Sequence, residues 1–317
     1  MGSAVLHMAH TALFSCLLQD AHIIRELDGR PGYSLYAVFD GHGGQNAAKF
    51  AAAEGTGLVS VLTKKCLVDA SAGSETPEAL GEALRRAFLT LDQDMREHFE
   101  LKADPNERSG CTAVAVLVTP THIITANAGD SRALLARKSA KDKDVKLSED
   151  HKPWKPEEKA RIEAAGGCVS MKRVDGELAV SRSLGDFQFK QEDISPEQYK
   201  VTANPEVRIE TRRSDDEFIV LACDGIWDVM ENDEVIKEVT SYCTLLGEDN
   251  PMLMCEELMQ TCLDKHSRDN MSVIIALLQS GQDLVNTESG KGGIMPIRQE
   301  REAKEAAEAG KAAAEDN

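Results

Sequence analysis

The sequence predicts an α+β fold in which short strands dominate the middle of the chain and longer helices stand apart from them. Two kinds of pattern support this class: apolar runs bounded by Gly, Asp, Asn or Pro, and segments with apolar residues three or four apart. The chain has 317 residues, 42% of them hydrophobic, which is enough for a sizeable core. We see no internal repeat and no regular alternation of strands and helices.

Six apolar runs are predicted as strands, at residues 35–39, 112–118, 122–126, 133–137, 217–223 and 272–278. Two helices are predicted between the first two of them, and the stronger carries on one face the stripe Leu80, Leu84, Phe88, Leu91, Met95 and Phe99. Further helices are predicted at 156–165, 233–246 and 252–265, the first opening with a proline and two acids that suit a helix start.

The apolar periodicity stops near residue 279, which divides the chain into two parts. Residues 1–280 are predicted to form one globular domain. Residues 281–317 form a charged tail rich in Ala and Glu, a composition that cannot bury a core, so the tail is predicted to be disordered or an exposed helix.

Charge and cysteine usage narrow the class of protein. A formal charge of −18 argues against a nucleic-acid binder, whereas an excess of carboxylates suits hard cations. The eight cysteines are spread singly, with no CxxC pair, and are predicted to be reduced core residues of a cytoplasmic or nuclear protein. No apolar run is long enough to span a membrane, and no secretory signal is recognisable, so we expect no membrane partner.

Aspartates recur where a predicted strand meets a sharp turn. These residues are Asp40, Asp130, Asp224 with Asp228, and Asp269. Each alone also fits an ordinary structural turn residue. Where several such strand ends converge, carboxylates repel one another and raise one another's pKa unless a divalent cation lies between them. Oxygen-only ligands favour Mg²⁺ or Mn²⁺ over zinc.

Two of these aspartates are followed directly by glycine. The Asp40-Gly41 and Asp224-Gly225 dipeptides predict tight turns in which a glycine allows a backbone carbonyl to face a ligand. His42 lies two residues after Asp40, so an imidazole that titrates near neutral pH stands next to the candidate metal site.

Nine segments, in this order over residues 20–278, resemble the type-2C (PPM) family of metal-dependent protein serine/threonine phosphatases. They are Gln-Asp20-Ala-His, Val-Phe-Asp40-Gly-His-Gly-Gly, Ser109-Gly-Cys-Thr-Ala-Val, Asn127-Ala-Gly-Asp130-Ser-Arg, Asp150-His-Lys-Pro, Glu163-Ala-Ala-Gly-Gly, Leu178-Ala-Val-Ser-Arg-Ser-Leu-Gly-Asp186, Ala222-Cys-Asp224-Gly-Ile-Trp-Asp228 and Arg268-Asp269-Asn270. The resemblance implies two antiparallel β-sheets packed as a central sandwich and flanked by α-helices, in four α-β-β-α layers. Residues 1–280 would then be the catalytic domain.

The resemblance also implies roles for single residues. Asp40 would bridge two Mg²⁺ or Mn²⁺ ions, Gly41 would offer its carbonyl to one of them, and Asp224 and Asp269 would complete the other. A third, weaker ion would be held by Asp130 and Asp228, while Asp20 would orient water at the metals. Arg173 falls in the family's flap beside the substrate cleft. The expected substrates are phosphoproteins, and the expected state is a monomer.

Two cations about 4 Å apart can lower the pKa of a shared water and direct the resulting hydroxide at a phosphoryl group. His42 would then be the general acid that protonates the departing serine or threonine oxygen. The alternative for His42 is a purely structural hydrogen bond to a metal carboxylate.

The N-terminal region departs from the family pattern. The family has Arg five residues before the aspartate that matches Asp20, where this chain has Ser15, and Glu immediately before it, where this chain has Gln19. Loss of a charged phosphate contact costs on the order of 2–4 kcal/mol, which is about 30- to 1000-fold in rate. These departures leave open a pseudophosphatase, which binds phosphoproteins without turnover, or an alternative start without the usual first strand. A kinase or ATPase fits poorly, because the chain has no GxxxxGK[ST] loop.

Overall fold

The computed structural model describes residues 5–10, 19–67, 75–102, 107–138, 144–191, 193–246 and 250–278, the first of these as backbone only. The charged tail and Ser15 lie outside the described residues, so the division at residue 280 stays a prediction. None of the described helices combines the length and the apolar character that a membrane span requires.

Fifteen strands form in the described part of the chain. In chain order they are β1 Val5–His10, β2 Ala21–Glu26, β3 Ser34–Phe39, β4 Gly41–His42, β5 Gly110–Cys111, β6 Ala113–Val118, β7 His122–Ala128, β8 Arg132–Arg137, β9 Asp144–Lys146, β10 Val169–Ser170, β11 Arg173–Val174, β12 Leu184–Gly185, β13 Glu206–Thr211, β14 Asp216–Ala222 and β15 Ser272–Leu277. The main helices are α1 Asn46–Ala52, α2 Leu58–Val61, α3 Pro77–Lys102, α4 Pro156–Ala164, α5 Asp224–Trp227, α6 Asn232–Ser241 and α7 Pro251–Asp264.

Two five-stranded antiparallel sheets form the centre of the molecule. One has the order β1-β15-β14-β8-β9 and the other β13-β7-β6-β3-β2. Alternate residues of each strand face opposite sides of a sheet. Tyr36 and Val38 of β3 accordingly pack between the sheets against Ile219 and Leu221 of β14. The predicted β-sandwich is therefore confirmed.

Helices cover both outer faces of the sandwich. On one side Leu35 and Phe39 of β3 pack against α3, whose predicted stripe from Leu80 to Phe99 is buried throughout. On the other side Phe218 and Val220 of β14 pack against α6 and α7. Both faces of β3, β6, β14 and β15 are buried, which explains why these strands read as continuous apolar runs. The four α-β-β-α layers are thus confirmed.

Several elements differ from the sequence-based prediction. The helix predicted over 233–246 ends at Ser241 and continues as a wider π-helical turn, Tyr242–Leu246. The edge strands β2 and β13 were absent from the prediction; β13 alternates Glu, Arg and Glu with apolar residues and stays largely accessible, so it lacks an apolar run. The alternative of a missing first strand is wrong, because β1 precedes Asp20 and pairs antiparallel with β15.

The cysteines of the described residues are reduced and form no disulfide, as predicted. Cys111, Cys223, Cys243, Cys255 and Cys262 are buried in the core. Cys168 is an exception to the predicted core location, because it is exposed in the loop between α4 and β10.

Candidate active site

Strand register brings the first two aspartates together at one edge of the sandwich. Strand β2 pairs antiparallel with β3 so that Ala21 lies opposite Phe39. Asp20 comes just before β2 and Asp40 just after β3, so their backbones are neighbours. Asp20 is buried, and its Oδ2 accepts a hydrogen bond of 2.8 Å from Ser272 Oγ at the start of β15.

The second sheet delivers three more aspartates to this edge. Ala222, the last residue of β14, lies opposite Arg132 at the start of β8, and the same end of β14 pairs with the first residues of β15. Asp224 therefore follows the end of β14, Asp130 lies in the turn before β8, and Asp269 lies in the loop before β15. Asp228 lies one helical turn after Asp224, at the end of α5. We call Asp20, Asp40, Asp130, Asp224, Asp228 and Asp269 the acid cluster.

The pKa values of Asp40 and Asp224 are strongly perturbed. Burial raises the pKa of Asp40 well above its usual value, and the charges of Asp20, Asp224, Asp130 and Asp269 raise it further. Burial, followed by the charges of Asp130, Asp269 and Asp228, raises the pKa of Asp224 to about 7. These mutual effects mean that the carboxylates share one electrostatic site.

The ammonium of Lys152 places a positive charge beside the acid cluster. The Lys152 ammonium forms an ion pair with Asp130 Oδ2. Burial lowers the pKa of Lys152, but the charge of Asp130 and its hydrogen bond outweigh burial and raise it. Sequence analysis missed this contact, although Lys152 belongs to the Asp150-His-Lys-Pro segment; only the folded turn before β8 brings it to Asp130.

An all-oxygen, mutually repelling set of donors suits a hard divalent cation. Within the described ranges, however, no three His, Cys, Asp or Glu side chains already surround one point as a complete ligand set. Magnesium binds proteins through one or two carboxylates and keeps several waters, so the acid cluster fits this ion without a closed cage of side chains.

The two Asp-Gly dipeptides do not need glycine for the predicted reason. Neither Gly41 nor Gly225 has a positive φ, so the left-handed freedom of glycine does not explain either position. Close approach of backbone explains them instead. A Cβ on Gly41 would lie 2.1 Å from the Gln19 carbonyl oxygen, and a Cβ on Gly225 would lie 2.1 Å from the Asn270 carbonyl oxygen. These glycines let the chain segments that carry Asp20 and Asp269 pack directly against Asp40 and Asp224.

The Gly225→Ala variant should therefore disturb the site as well as the fold. We expect the free energy of unfolding to fall by about 1–3 kcal/mol, because a backbone oxygen cannot move aside as a side chain can. We also expect Mn²⁺ to raise the melting temperature less than in the wild type. Gly55→Ala is the control, since Gly55 has a positive φ of +88° but open space around it. Equal Mn²⁺ responses in both variants would contradict this explanation.

His42 lies on β4 and contacts a residue outside the acid cluster. Its Nε2 is 2.7 Å from Asp186 Oδ2. Burial lowers the pKa of His42, but the charge and hydrogen bond of Asp186, with Asp130 and Asp224 further away, raise it above its usual value. The alternative role left open for His42 was a structural hydrogen bond to a metal carboxylate. In the structure its hydrogen bond goes to Asp186 instead.

The remaining residues singled out from the sequence are Arg173, Gln19, Asp228 and Asp269. Arg173 is exposed in the β10–β11 hairpin, where its Nη1 donates a 2.5 Å hydrogen bond to the Glu177 carbonyl of the same hairpin. Gln19 is half-buried, and its Oε1 accepts a 3.4 Å hydrogen bond from the Gly44 amide. Asp228 and Asp269 are the exposed members of the acid cluster.

Comparison with known proteins agrees with this architecture. The family model for protein phosphatase 2C matches residues 7–271. The chain belongs to the protein phosphatase 2C family. Human protein phosphatase 1A is 43% identical over 262 residues, and mouse protein phosphatase 1B is 40% identical over 264 residues; each alignment covers 81% of this chain and 66% of the relative. The chain thus spans slightly less than two thirds of the length of these curated relatives.

Solved structures show the same family fold. A serine-threonine phosphatase 2C from Toxoplasma gondii superimposes with a TM-score of 0.68 at 18% identity, covering 87% of this chain and 99% of the other. A sex-determining protein of C. elegans gives a TM-score of 0.71 at 24% identity, covering 89% of this chain and 66% of the other. At these identities the structural similarity supports the fold of this chain and not its chemistry.

Proposed function

We propose that this protein phosphatase 2C family member is a metal-dependent serine/threonine phosphatase that hydrolyses phosphoserine and phosphothreonine in proteins. The acid cluster carries the proposal. Carboxylates from both sheets meet at one edge of the sandwich, where burial and mutual repulsion raise the pKa values of Asp40, Asp224 and Asp228. Such a cluster is destabilising unless cations neutralise it, so its presence is best explained by a role in binding them.

Two Mg²⁺ or Mn²⁺ ions are the proposed cofactors, with a third, weaker one. Asp40, the Gly41 carbonyl, Asp224 and Asp269 would hold the first two. Asp130, together with Asp228, would hold the weaker third ion. When bound, these ions would activate water and neutralise the charge of the phosphoryl oxygens.

The residues of the chain itself would orient the reactants and supply a proton. Asp20, fixed by the Ser272 hydroxyl, would accept a hydrogen bond from the attacking water. As the water oxygen bonds to phosphorus, the bond between phosphorus and the serine or threonine oxygen breaks. His42 would donate its proton to that oxygen, which leaves as a hydroxyl group. Arg173, exposed on its hairpin, would contact the substrate beyond the phosphate.

Lys152 would provide a built-in counterion for Asp130. Its ammonium forms an ion pair with Asp130 Oδ2. Binding of a third ion at Asp130 would have to displace or share this contact, which agrees with the lower affinity proposed for that ion.

Phosphate release tests the proposal directly. We expect the purified protein to hydrolyse p-nitrophenyl phosphate and a phosphothreonine peptide with Mn²⁺, and to lose this activity in chelator. Asp224→Asn should lower kcat by about 10²- to 10³-fold, the order of loss expected when charge stabilisation of the transition state is removed. Asp94→Asn is the control, since Asp94 only pairs with Lys65 on the helical surface.

The rival function predicts a different result. A pseudophosphatase would bind phosphoproteins without turnover, and Gln19 in place of a carboxylate is the observation in its favour. Phosphate release that stays at the level of the protein-free control, with and without chelator, would refute the enzymatic proposal and leave the binding function.

A further inference from the structure

Three short strands outside the main sheets join two sequence motifs that the proposed chemistry does not use. Strand β5 lies between β4 and β12. Gly110 of β5 is opposite His42 on one side and opposite Gly185 on the other. Asp186 follows β12 directly, so the Ser109-Gly-Cys motif and the Ser-Leu-Gly-Asp186 motif both converge on the imidazole of His42.

The imidazole of His42 is held from one side. Its Nε2 lies 2.7 Å from Asp186 Oδ2, and the Ser183 hydroxyl donates a 2.5 Å hydrogen bond to the same oxygen. The side chain of Asp186 is 1% exposed, whereas that of His42 is 30% exposed. The buried partner is therefore fixed, while the ring keeps an open side toward solvent.

The backbone of Asp186 is fixed as well. Asp186 has a left-handed φ of 50°, and its amide donates to the Ser109 carbonyl at 3.1 Å. The preceding Gly185 amide donates to Asp92 Oδ1 at 2.8 Å, and the buried Lys190 ammonium lies 2.7 Å from the same oxygen. Because Asp92 belongs to α3, the loop that presents Asp186 is anchored to the longest of the described helices.

Gly110 leaves room for the hydrogen bond between the two side chains. A Cβ at this position would lie 2.1 Å from Asp186 Oδ2 and 2.5 Å from His42 Nε2. Both contacts are far inside van der Waals distance, so any side chain here would push the imidazole and the carboxylate apart. Glycine at position 110 is thus explained by the His42–Asp186 contact.

We propose that Asp186 and Gly110 are positioning residues for His42. Asp186 accepts the hydrogen bond from Nε2 and fixes the rotation of the ring, which leaves Nδ1 as the nitrogen that serves the departing serine or threonine oxygen. Gly110 keeps this contact free of side-chain atoms. The inference rests on the proposed function, in which His42 protonates that oxygen.

Leaving-group dependence separates positioning from a general structural role. A threonine oxygen needs a proton to depart, whereas p-nitrophenolate is a stable anion and does not. Gly110→Ala and Asp186→Asn should each lower kcat for a phosphothreonine peptide by about 10- to 100-fold, part of the 10²–10⁴ that a general acid supplies. The KM for the peptide should stay within about threefold, and kcat for p-nitrophenyl phosphate should also stay within about threefold.

Matched variants control for lost stability. Gly29→Ala places a methyl group in open space at a positive φ, and Asp94→Asn removes a carboxylate that pairs with Lys65. Neither should change the ratio of the two activities. If Gly110→Ala or Asp186→Asn lowers both activities equally, the positioning role is wrong.

A double-mutant cycle gives a second test. In a His42→Gln background, Gly110→Ala or Asp186→Asn should cost no more than about threefold further on the peptide, because residues that act through one group are not additive. A full additional loss would overturn the proposal. Ser183→Ala, which removes the second donor to Asp186, should change the activity ratio in the same direction by about 3- to 10-fold if the other variants fail to fold.

Imidazole nitrogen NMR of the metal-free protein tests the contact without any turnover. The wild type should show a protonated, hydrogen-bonded Nε2 on His42, and Gly110→Ala should lose this signature while keeping the wild-type circular dichroism. An unchanged signal would contradict the inference. Wild-type protein that hydrolyses neither substrate with Mn²⁺ would overturn the proposed function, and the NMR result would still decide the His42–Asp186 contact.

Discussion

Asp40→Asn is expected to lower kcat by about 10³-fold or more and, at the same time, to make the metal-free protein more stable. Both effects follow from the acid cluster. Asp40 is a proposed ligand of the two ions, so its charge is needed for the transition state. Without ions the same charge is repelled by Asp20, Asp224, Asp130 and Asp269. Removing it should raise the free energy of unfolding in chelator by about 1–2 kcal/mol at neutral pH.

Phosphate release with Mn²⁺ and urea unfolding in chelator measure the two effects. Asp216→Asn is an informative comparison, because Asp216 begins the strand whose other end leads to Asp224. Its Oδ1 accepts a 2.6 Å hydrogen bond from Arg137 in the core. Breaking such a buried pair costs about 3–5 kcal/mol, so the same chemical change should have the opposite sign there. An Asp40→Asn protein that is less stable in chelator, or retains more than a tenth of the activity, would contradict the repulsion argument.

The second large effect is a dependence of metal-free stability on pH. The pKa of Asp224 is raised to about 7 by burial and neighbouring carboxylates, and that of Asp40 is raised too. The folded protein therefore holds more protons than the unfolded chain at pH values between the unfolded and the folded pKa. In chelator, the free energy of unfolding should therefore be greatest near pH 4. It should fall by about a few kcal/mol in total as the pH rises toward about 7.

Manganese should reverse this loss where the carboxylates are ionised. At about 100 times its dissociation constant an ion adds about 2.7 kcal/mol to the free energy of unfolding. We expect that gain near pH 7.5 and a much smaller one near pH 5, where protons compete for the same oxygens. Thermal unfolding at both pH values, with Mn²⁺ or chelator, measures it. Asp224→Asn should flatten both dependences, and a wild-type response to Mn²⁺ that is equal at the two pH values would refute the assignment.

Local patterns predicted the central elements well because those elements are buried on definable faces. The stripe on α3 and the apolar runs of β3 and β14 each report burial within one segment. The edge strand β13 escaped prediction because one side of it stays accessible, so its backbone pairing with β7 decides its conformation rather than an apolar pattern.

Only the acidic residues of the site could be predicted from the sequence. Asp40 and Asp224 could be singled out because several carboxylates at the ends of strands in one chain are an unusual combination. Lys152 and Asp186 were not assigned, because their contacts with Asp130 and His42 join residues 22 and 144 positions apart. The glycines of the site were recognised as turn residues, but their role is close backbone packing, which only tertiary structure reveals.

Anomalous scattering from crystals grown with Mn²⁺ tests the central claim most directly. We expect two manganese peaks beside Asp40, one of them also coordinated by Asp224 and Asp269, and both should vanish in the Asp40→Asn protein. Well-ordered crystals with manganese in excess and no peak within coordination distance of Asp40 would contradict the account.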